Sequence, residues 1–272
     1  MYSQPIDRNH PGCILFLVDQ SGSMQDTFGG GQKTKAEVLA ASVNRLIYNL
    51  VLQCQRAEEV RDYYHLGIIG YGSSVASAFD GDLKGQYLVP TSAIADFPLR
   101  MVEDTMPGQP DVSIQQPVWI DPRAHGGTPM RQAIDTAGAL VVDWANHHLD
   151  SFPPIVINIS DGESTDGDPR TMAAQLRDVR TTDGNLLLFN VHLSSENGAP
   201  IEYPNSPNAL PNAYAAGLFE MSSELTPYML AVARGMALAV ETGARGFVFN
   251  ADPAKVSEFL DVGTRMSLVA DR

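Results

Sequence analysis

The chain has 272 residues, with 18 lysines and arginines against 32 aspartates and glutamates, a formal net charge of −14. That field repels a phosphate backbone and an anionic lipid surface, which argues against nucleic-acid and membrane-surface binding. Apolar residues make up 44% and charged residues only 18%, a balance suited to a packed core and not to disorder.

The segment Met1–His10 is polar and has no apolar run of the kind that opens a secretory signal. No later run approaches the ~18–20 apolar residues of a membrane span. Only two cysteines occur, Cys13 and Cys54, too few for a secreted disulfide framework. Both read as buried free thiols. A cytoplasmic location is therefore expected.

Cys13–Val18 is a continuous apolar run of the type buried on both faces of a parallel sheet. Leu39, Val43, Leu46, Ile47, Leu50 and Cys54 then fall on one helical stripe. Residues 63–70 read as a second strand, with 74–79 pairing back on it after a turn at Gly72. Met130, Ala133, Ile134, Ala137, Leu140, Val141 and Trp144 recur at helical spacing. A strand over 154–159 follows, then a helix opened by Asp168 as N-cap and Pro169 at its first position. Residues 186–192 form the next strand, Met229 to Val240 a helical stripe, and 246–250 a final strand. Asp252-Pro253 opens a last helix with Val256, Phe259, Leu260 and Gly263 on one side.

This alternation predicts an α/β fold, a doubly wound, mostly parallel sheet flanked by helices. One domain is expected over residues 1–272, with a core spanning about 12–266. Two proline-rich polar stretches, about 80–127 and 195–227, are expected as elaborated loops. The first carries seven acids against three bases. In the second, Tyr203, Tyr214, Phe219 and Tyr228 are candidates either for an interface or for packing against the sheet edge.

Ligands of an open α/β sheet bind outside the carboxyl ends of its strands. After the first strand stands Asp19-Gln20-Ser21-Gly22-Ser23, and after the fourth stands Ser160-Asp161-Gly162-Glu163. Gly126-Gly127-Thr128-Pro129 precedes the Met130 helix. Together they offer two carboxylates and three hydroxyls, the hard oxygen set that Mg²⁺ takes while keeping several waters. Each segment alone has a plainer use: Ser21, Ser23 and Thr128 as helix caps, Asp161-Gly162 as a turn, Asp19 as a polar strand end. Their joint placement at three strand or helix boundaries favours the cation.

Asp19-x-Ser21-x-Ser23, with Thr128 in GGTP and Asp161 in SDGE, resembles the metal-ion-dependent adhesion site of von Willebrand factor A domains. The resemblance runs from the first strand to the last helix and fills all five positions of the family pattern. It implies that Ser21 and Ser23 bind the metal directly, and that Thr128, Asp19 and Asp161 bind directly or through water. It implies Mg²⁺ as the cofactor, with Mn²⁺ or Ca²⁺ as alternatives, and a vacant position taken by a Glu or Asp of a protein partner. Such a module is a protein-interaction domain and not an enzyme. The missing signal segment resembles the intracellular bacterial branch, whose members work beside protein kinases, phosphatases or AAA+ ATPases of the MoxR kind. Gln25–Gln32 departs from the pattern by lengthening the turn after the site.

Rival chemistries fit less well. Gly29-Gly30-Gly31-Gln32-Lys33-Thr34 lacks the glycine a phosphate loop needs directly before Lys-Thr. A Mg²⁺-dependent phosphatase of the haloacid-dehalogenase type also places an aspartate after strand one. Its general acid stands two residues later, where this chain has Ser21. No G-x-S-x-G elbow surrounds Ser21 or Ser23, and no Cys/His spacing suggests zinc. Of the histidines, His125 reads as a solvated loop residue and His147 and His148 as the end of a helix. His65 and His192 read as core residues satisfied by hydrogen bonds.

Overall fold

The computed structural model describes residues 2–28, 31–106, 109–193, 199–251 and 258–259. In chain order come β1 (Gly12–Asp19), α1 (Lys35–Cys54), β2 (Tyr64–Tyr71), β3 (Val75–Ser77), β4 (Val89–Pro90) and α2 (Thr91–Asp96). Then follow β5 (Arg100–Met106), β6 (Gln109–Val118), α3 (Met130–His147), β7 (Ile155–Ser160) and α4 (Arg170–Arg177). The described elements end with β8 (Leu187–Leu193), β9 (Ile201–Glu202), α5 (Ala213–Met221), α6 (Pro227–Gly235) and β10 (Phe247–Ala251).

Strand β1 is buried along its whole length, and its residues divide by period two. Ile14, Phe16 and Val18 join one core, whereas Leu15 and Leu17 join the other. Only a strand covered on both faces tolerates so unbroken an apolar run. The sheet order is β9–β10–β8–β7–β1–β2–β3, with β4 also pairing β2, eight strands in all. The four central pairings, β1 with β2 and β7, and β8 with β7 and β10, are parallel. Pairings at the margins are antiparallel.

Helix α1 opens with a capping box between Thr34 and Glu37. Its expected stripe, Leu39 to Cys54, is buried against Phe16 and Ile157 on one face of the sheet. The buried stripes of α3 and α4 and part of α5 cover the opposite face. The expected doubly wound, mostly parallel sheet flanked by helices is thus the observed architecture. Asp168 accepts from Arg170 N at the start of α4, as the Asp-Pro pair predicts. Cys13 and Cys54 are buried and free. No described helix is long and apolar enough to cross a membrane.

The two expected loops are corrected by structure within them. Residues 80–127 hold β4, α2 and a β5–β6 hairpin running from Arg100 opposite Val118. Between Arg100 and Gln116 no described side chain is fully buried: half-buried Val102, Ile114 and Gln116 alternate with exposed neighbours, a weak contrast that the sequence reading did not register. The chain then returns to the core through Trp119 and Ile120. Residues 195–227 hold β9 and α5. Helix α5 is apolar around most of its circumference, which hides its stripe. Tyr203 and Phe219 are buried, and Tyr228 is exposed. The Met229–Val240 stripe also ends early, because Ala237 adopts φ 61° just past the end of α6. Of the expected last helix only residues 258 and 259 are described, and they are helical. Its opening at Asp252-Pro253 and its remaining stripe residues lie outside the described residues, as do Gly29 and Gly30.

Buried Asn44 on α1 fixes the return of the long excursion. Its Oδ1 accepts from Trp119 N and Ile120 N at 2.9 and 3.2 Å, and its Nδ2 donates to Ile120 O at 2.9 Å. Asn44→Leu leaves three buried backbone groups without partners, at about 1–3 kcal/mol for each group that water does not reach. A loss of roughly 2–4 kcal/mol in chemical denaturation is expected, and a change under 0.5 kcal/mol would remove this clamp from the account.

Candidate metal centre

Strands β1 and β7 are neighbours, yet their following helices, α1 and α4, pack on opposite faces of the sheet. Their carboxyl ends therefore flank a topological switch point, where a crevice opens. Asp19 is the last residue of β1, and Asp161 directly follows β7. The third segment, 125–128, is drawn in by backbone bonds. His125 N donates to Gln20 O at 2.6 Å and Gly22 N donates to Gly126 O at 2.9 Å. The approach requires glycine at Gly126, whose φ is 86° and whose Cβ would sit 2.5 Å from Ser73 N.

A linked series of hydrogen bonds joins the two carboxylates, through one backbone amide and two hydroxyls. Asp19 Oδ1 accepts from Ser21 N at 2.8 Å, and Asp19 Oδ2 accepts from Ser160 Oγ at 2.7 Å. Ser21 Oγ lies 3.0 Å from Ser23 Oγ, which donates to Asp161 Oδ1 at 2.7 Å. Asp161 Oδ2 accepts from Lys35 Nζ at 2.7 Å. Asp19 and Ser21 are buried, while Ser23 is exposed and gives the crevice its open side. Burial pushes the Asp19 carboxyl up to about 6, against the downward pull of its bonds from Ser21 and Ser160; neighbouring Asp161 adds a further push upward.

The plainer uses of these residues are taken over by others. Neither the 3-10 turn at Gly22–Gln25 nor α3 receives a side-chain cap from its own N-cap residue, and α1 is capped by Thr34. The first amides of α3 are instead met by Asp166, which accepts from Arg131 N at 3.1 Å and Gln132 N at 2.8 Å. Thr128 is buried and is held through its backbone, which exchanges two 2.9 Å bonds with Thr165. Its hydroxyl makes no hydrogen bond among the described residues and lies 4.0 Å from where a Cβ on Gly162 would be. All five expected residues thus meet at one sheet edge, with three hydroxyls and two carboxylates. That donor set fits a hard divalent cation that retains several waters. The described residues hold no group of three or more His, Cys, Asp or Glu side chains that could ligate a metal, so a cation here would rest on two carboxylates and the hydroxyls beside them.

Ser160, Thr165, Asp166 and Lys35 were not legible as members of the site. Ser160 and Asp166 read as ordinary strand-end and loop polars. Lys35 carries a signal, since a lysine at the first position of a helix opposes the dipole. Among the histidines, His65 Nδ1 accepts from Trp144 Nε1 at 2.8 Å, as expected of a core residue. His192 meets its expectation in part: the imidazole hydrogen-bonds the Asp161 backbone, whereas Nδ1 is buried with no partner among the described residues and the ring stacks on Phe249 at 4.3 Å. Burial lowers His192 to about 4, which keeps it neutral. His125 is exposed, as its loop position suggested. Beside the Asp161 loop lies a cleft of about 300 Å³ lined by Met130, Glu163, Ser164, Tyr214 and Leu218.

No protein-family model matches the sequence, and no curated protein matches it. Among solved structures, the chain is similar to the pilus adhesin SpaC from Lactobacillus rhamnosus GG, with 12% identity and TM-score 0.47 over 95% of this chain and 30% of that one. It is similar to the manganese-loaded Plasmodium vivax TRAP protein, with 16% identity and TM-score 0.37 over 69% of this chain and 60% of that one. A third is the vWF domain of the type V pili tip protein Mfa5 from Porphyromonas gingivalis, with 15% identity and TM-score 0.32 over 57% and 39%. This chain spans less than two thirds of the length of each of these proteins. The fold rests on the sheet order given above and not on these likenesses.

Two outcomes follow from the geometry. Asp166→Ala removes the cap on α3 and is expected to cost about 1 kcal/mol in denaturant titration. Asp19 has a folded-state pKa above its unfolded value, so its ionisation opposes folding at pH 7 and this penalty fades as the pH falls from about 6 to about 4. In chelator at pH 7, Asp19→Asn is expected to be more stable than the wild type by roughly 1–3 kcal/mol, with the difference shrinking toward pH 4. A variant less stable at pH 7 would contradict the burial argument.

Proposed function

We propose that the chain is a metal-dependent protein-interaction module of the von Willebrand factor A type, and not an enzyme. On this reading Asp19, Ser21, Ser23, Thr128 and Asp161 hold Mg²⁺, and a Glu or Asp of a protein partner completes its shell. The observation that carries the reading is the linked run from Asp19, through the Ser21 amide and the Ser21 and Ser23 hydroxyls, to Asp161, with the Thr128 hydroxyl beside it unbonded among the described residues. The metal supplies a hard positive charge to which a carboxylate oxygen binds directly.

The chain's own residues set the geometry of that encounter. Ser160 Oγ and Ser21 N hold both Asp19 oxygens in fixed directions. Thr165 and Asp166 hold the start of α3, and with it Thr128, against the loop after β7. Exposed Ser23 marks the side from which a partner approaches. The haloacid-dehalogenase reading gains no support, because the position of its general acid holds Ser21, which is already bound up with Ser23. A cytoplasmic accessory or scaffold subunit beside a bacterial protein kinase, phosphatase or MoxR-type ATPase is the context this reading favours.

Capture of partners by the tagged chain tests the reading. A protein retained in Mg²⁺, released by EDTA and absent from Asp19→Ala is the expected result. Asp19→Ala should keep the wild-type circular dichroism while losing any rise in Tm on adding Mg²⁺. A partner that stays bound in EDTA and to the variant would sink the metal bridge. Steady hydrolysis of a phosphoester by the purified chain would sink the non-enzymatic assignment.

A further inference from the structure

Lys35 is buried through its pairing, at a helix position that disfavours a cation. It is only 4% exposed, although lysine is rarely buried unless paired. It occupies the first position of α1, where the positive end of the helix dipole disfavours a cation. It also lies on the metal side of the sheet edge, with its ammonium 2.7 Å from Asp161 and 3.6 Å from exposed Asp26. The carboxylate of Asp161 is fully covered, one oxygen facing Ser23 and the other facing Lys35. A residue set against its helix dipole at the edge of a candidate site is a place to look for function.

We propose that Lys35 is a tethered cation that competes with the metal for Asp161 and thereby keeps the affinity for the metal alone low. The inference rests on the metal-bridge reading above. An ammonium and a divalent ion that share one carboxylate repel each other at close range, and in a partly buried site that repulsion is poorly screened. Binding the metal therefore requires the lysine to yield part of its hold on Asp161. Removing the charge removes the competitor while Asp161 stays in place. Asp26, the other carboxylate near Lys35, is exposed and too distant to hold the ammonium alone.

The probe is Mn²⁺ alone, titrated into the full chain and followed by electron paramagnetic resonance of the free ion. Lys35→Gln keeps a hydrogen-bond donor beside Asp161 without its charge, and Lys35→Arg keeps the charge. Lys35→Gln is expected to bind Mn²⁺ at least about tenfold more tightly than the wild type and to gain a larger Tm rise from Mg²⁺. Lys35→Arg is expected to stay within about threefold of the wild type. Equal affinity in the wild type and Lys35→Gln, both folded by circular dichroism, overturns the competition and leaves the metal site standing. Absence of Mn²⁺ binding in all three chains overturns the metal-site reading and this inference with it. Should Lys35→Gln unfold in chelator, the Mg²⁺ concentration that restores its circular dichroism reads the same affinity, and failure of Mg²⁺ to restore it overturns the inference.

Discussion

The rest of the site follows from burying two carboxylates at the ends of adjacent parallel strands. Each charge withdrawn from water needs strong local donors or a counter-charge. Asp19 is given a backbone amide and a serine hydroxyl, both neutral, and its raised pKa records the incomplete compensation. Asp161 is given a serine hydroxyl and a full ammonium. The loop after β1, the last residue of β7 and the first turn of α1 supply these four groups.

Beneath the site the sheet is itself polar in a controlled way. Tyr71 on β2 donates to Asn158 Oδ1 on β7 at 2.8 Å, and Asn158 Nδ2 donates to Asn190 Oδ1 on β8 at 3.0 Å. Asn190 Nδ2 continues to Ser222 Oγ at 2.9 Å, beyond the end of α5. A buried network whose members have partners specifies register, because slipping any strand by one residue would strand several polar groups in the core. The three strands thus held include both neighbours of β1, namely β2 and β7. Fixed register keeps Asp161 level with Asp19, which is a condition for both carboxylates to serve one ion.

Much of this was legible because the relevant signals are local and periodic. Continuous apolar runs over 13–18, 154–159 and 186–192 name the central strands, and the stripes from Leu39 and Met130 name their covering helices. The Asp-x-Ser-x-Ser, Thr128 and Asp161 segments were legible because strand ends are where an α/β sheet places its ligands. The β5–β6 hairpin was not, since its described side chains alternate only between half-buried and exposed over most of their length, a weak contrast in sequence. Helix α5 was hidden for the opposite reason, being apolar almost all round. Lys35 was hidden because its partner is 126 residues away, and only the tertiary fold brings them together. The missed roles of Ser160 and Asp166 are of the same kind: common polar residues whose meaning comes from what they meet.

Charge accounting gives the proposed recognition a further constraint. Two carboxylates and one ammonium give the centre's own side chains one net negative charge. A divalent ion turns this to one net positive charge, and a partner carboxylate brings the centre to neutrality. Lys35 therefore works against the metal alone and in favour of metal plus acidic ligand, which couples the two binding events. At longer range the whole chain carries −14 and repels acidic proteins, over distances that salt shortens to about a Debye length of ~8–10 Å. A partner that presents a carboxylate to the metal must then approach against that field unless its surroundings are basic. The combination selects for a single acid set in a basic or neutral surface, in which long-range charge guides encounter and the metal bond, made at contact, confers specificity.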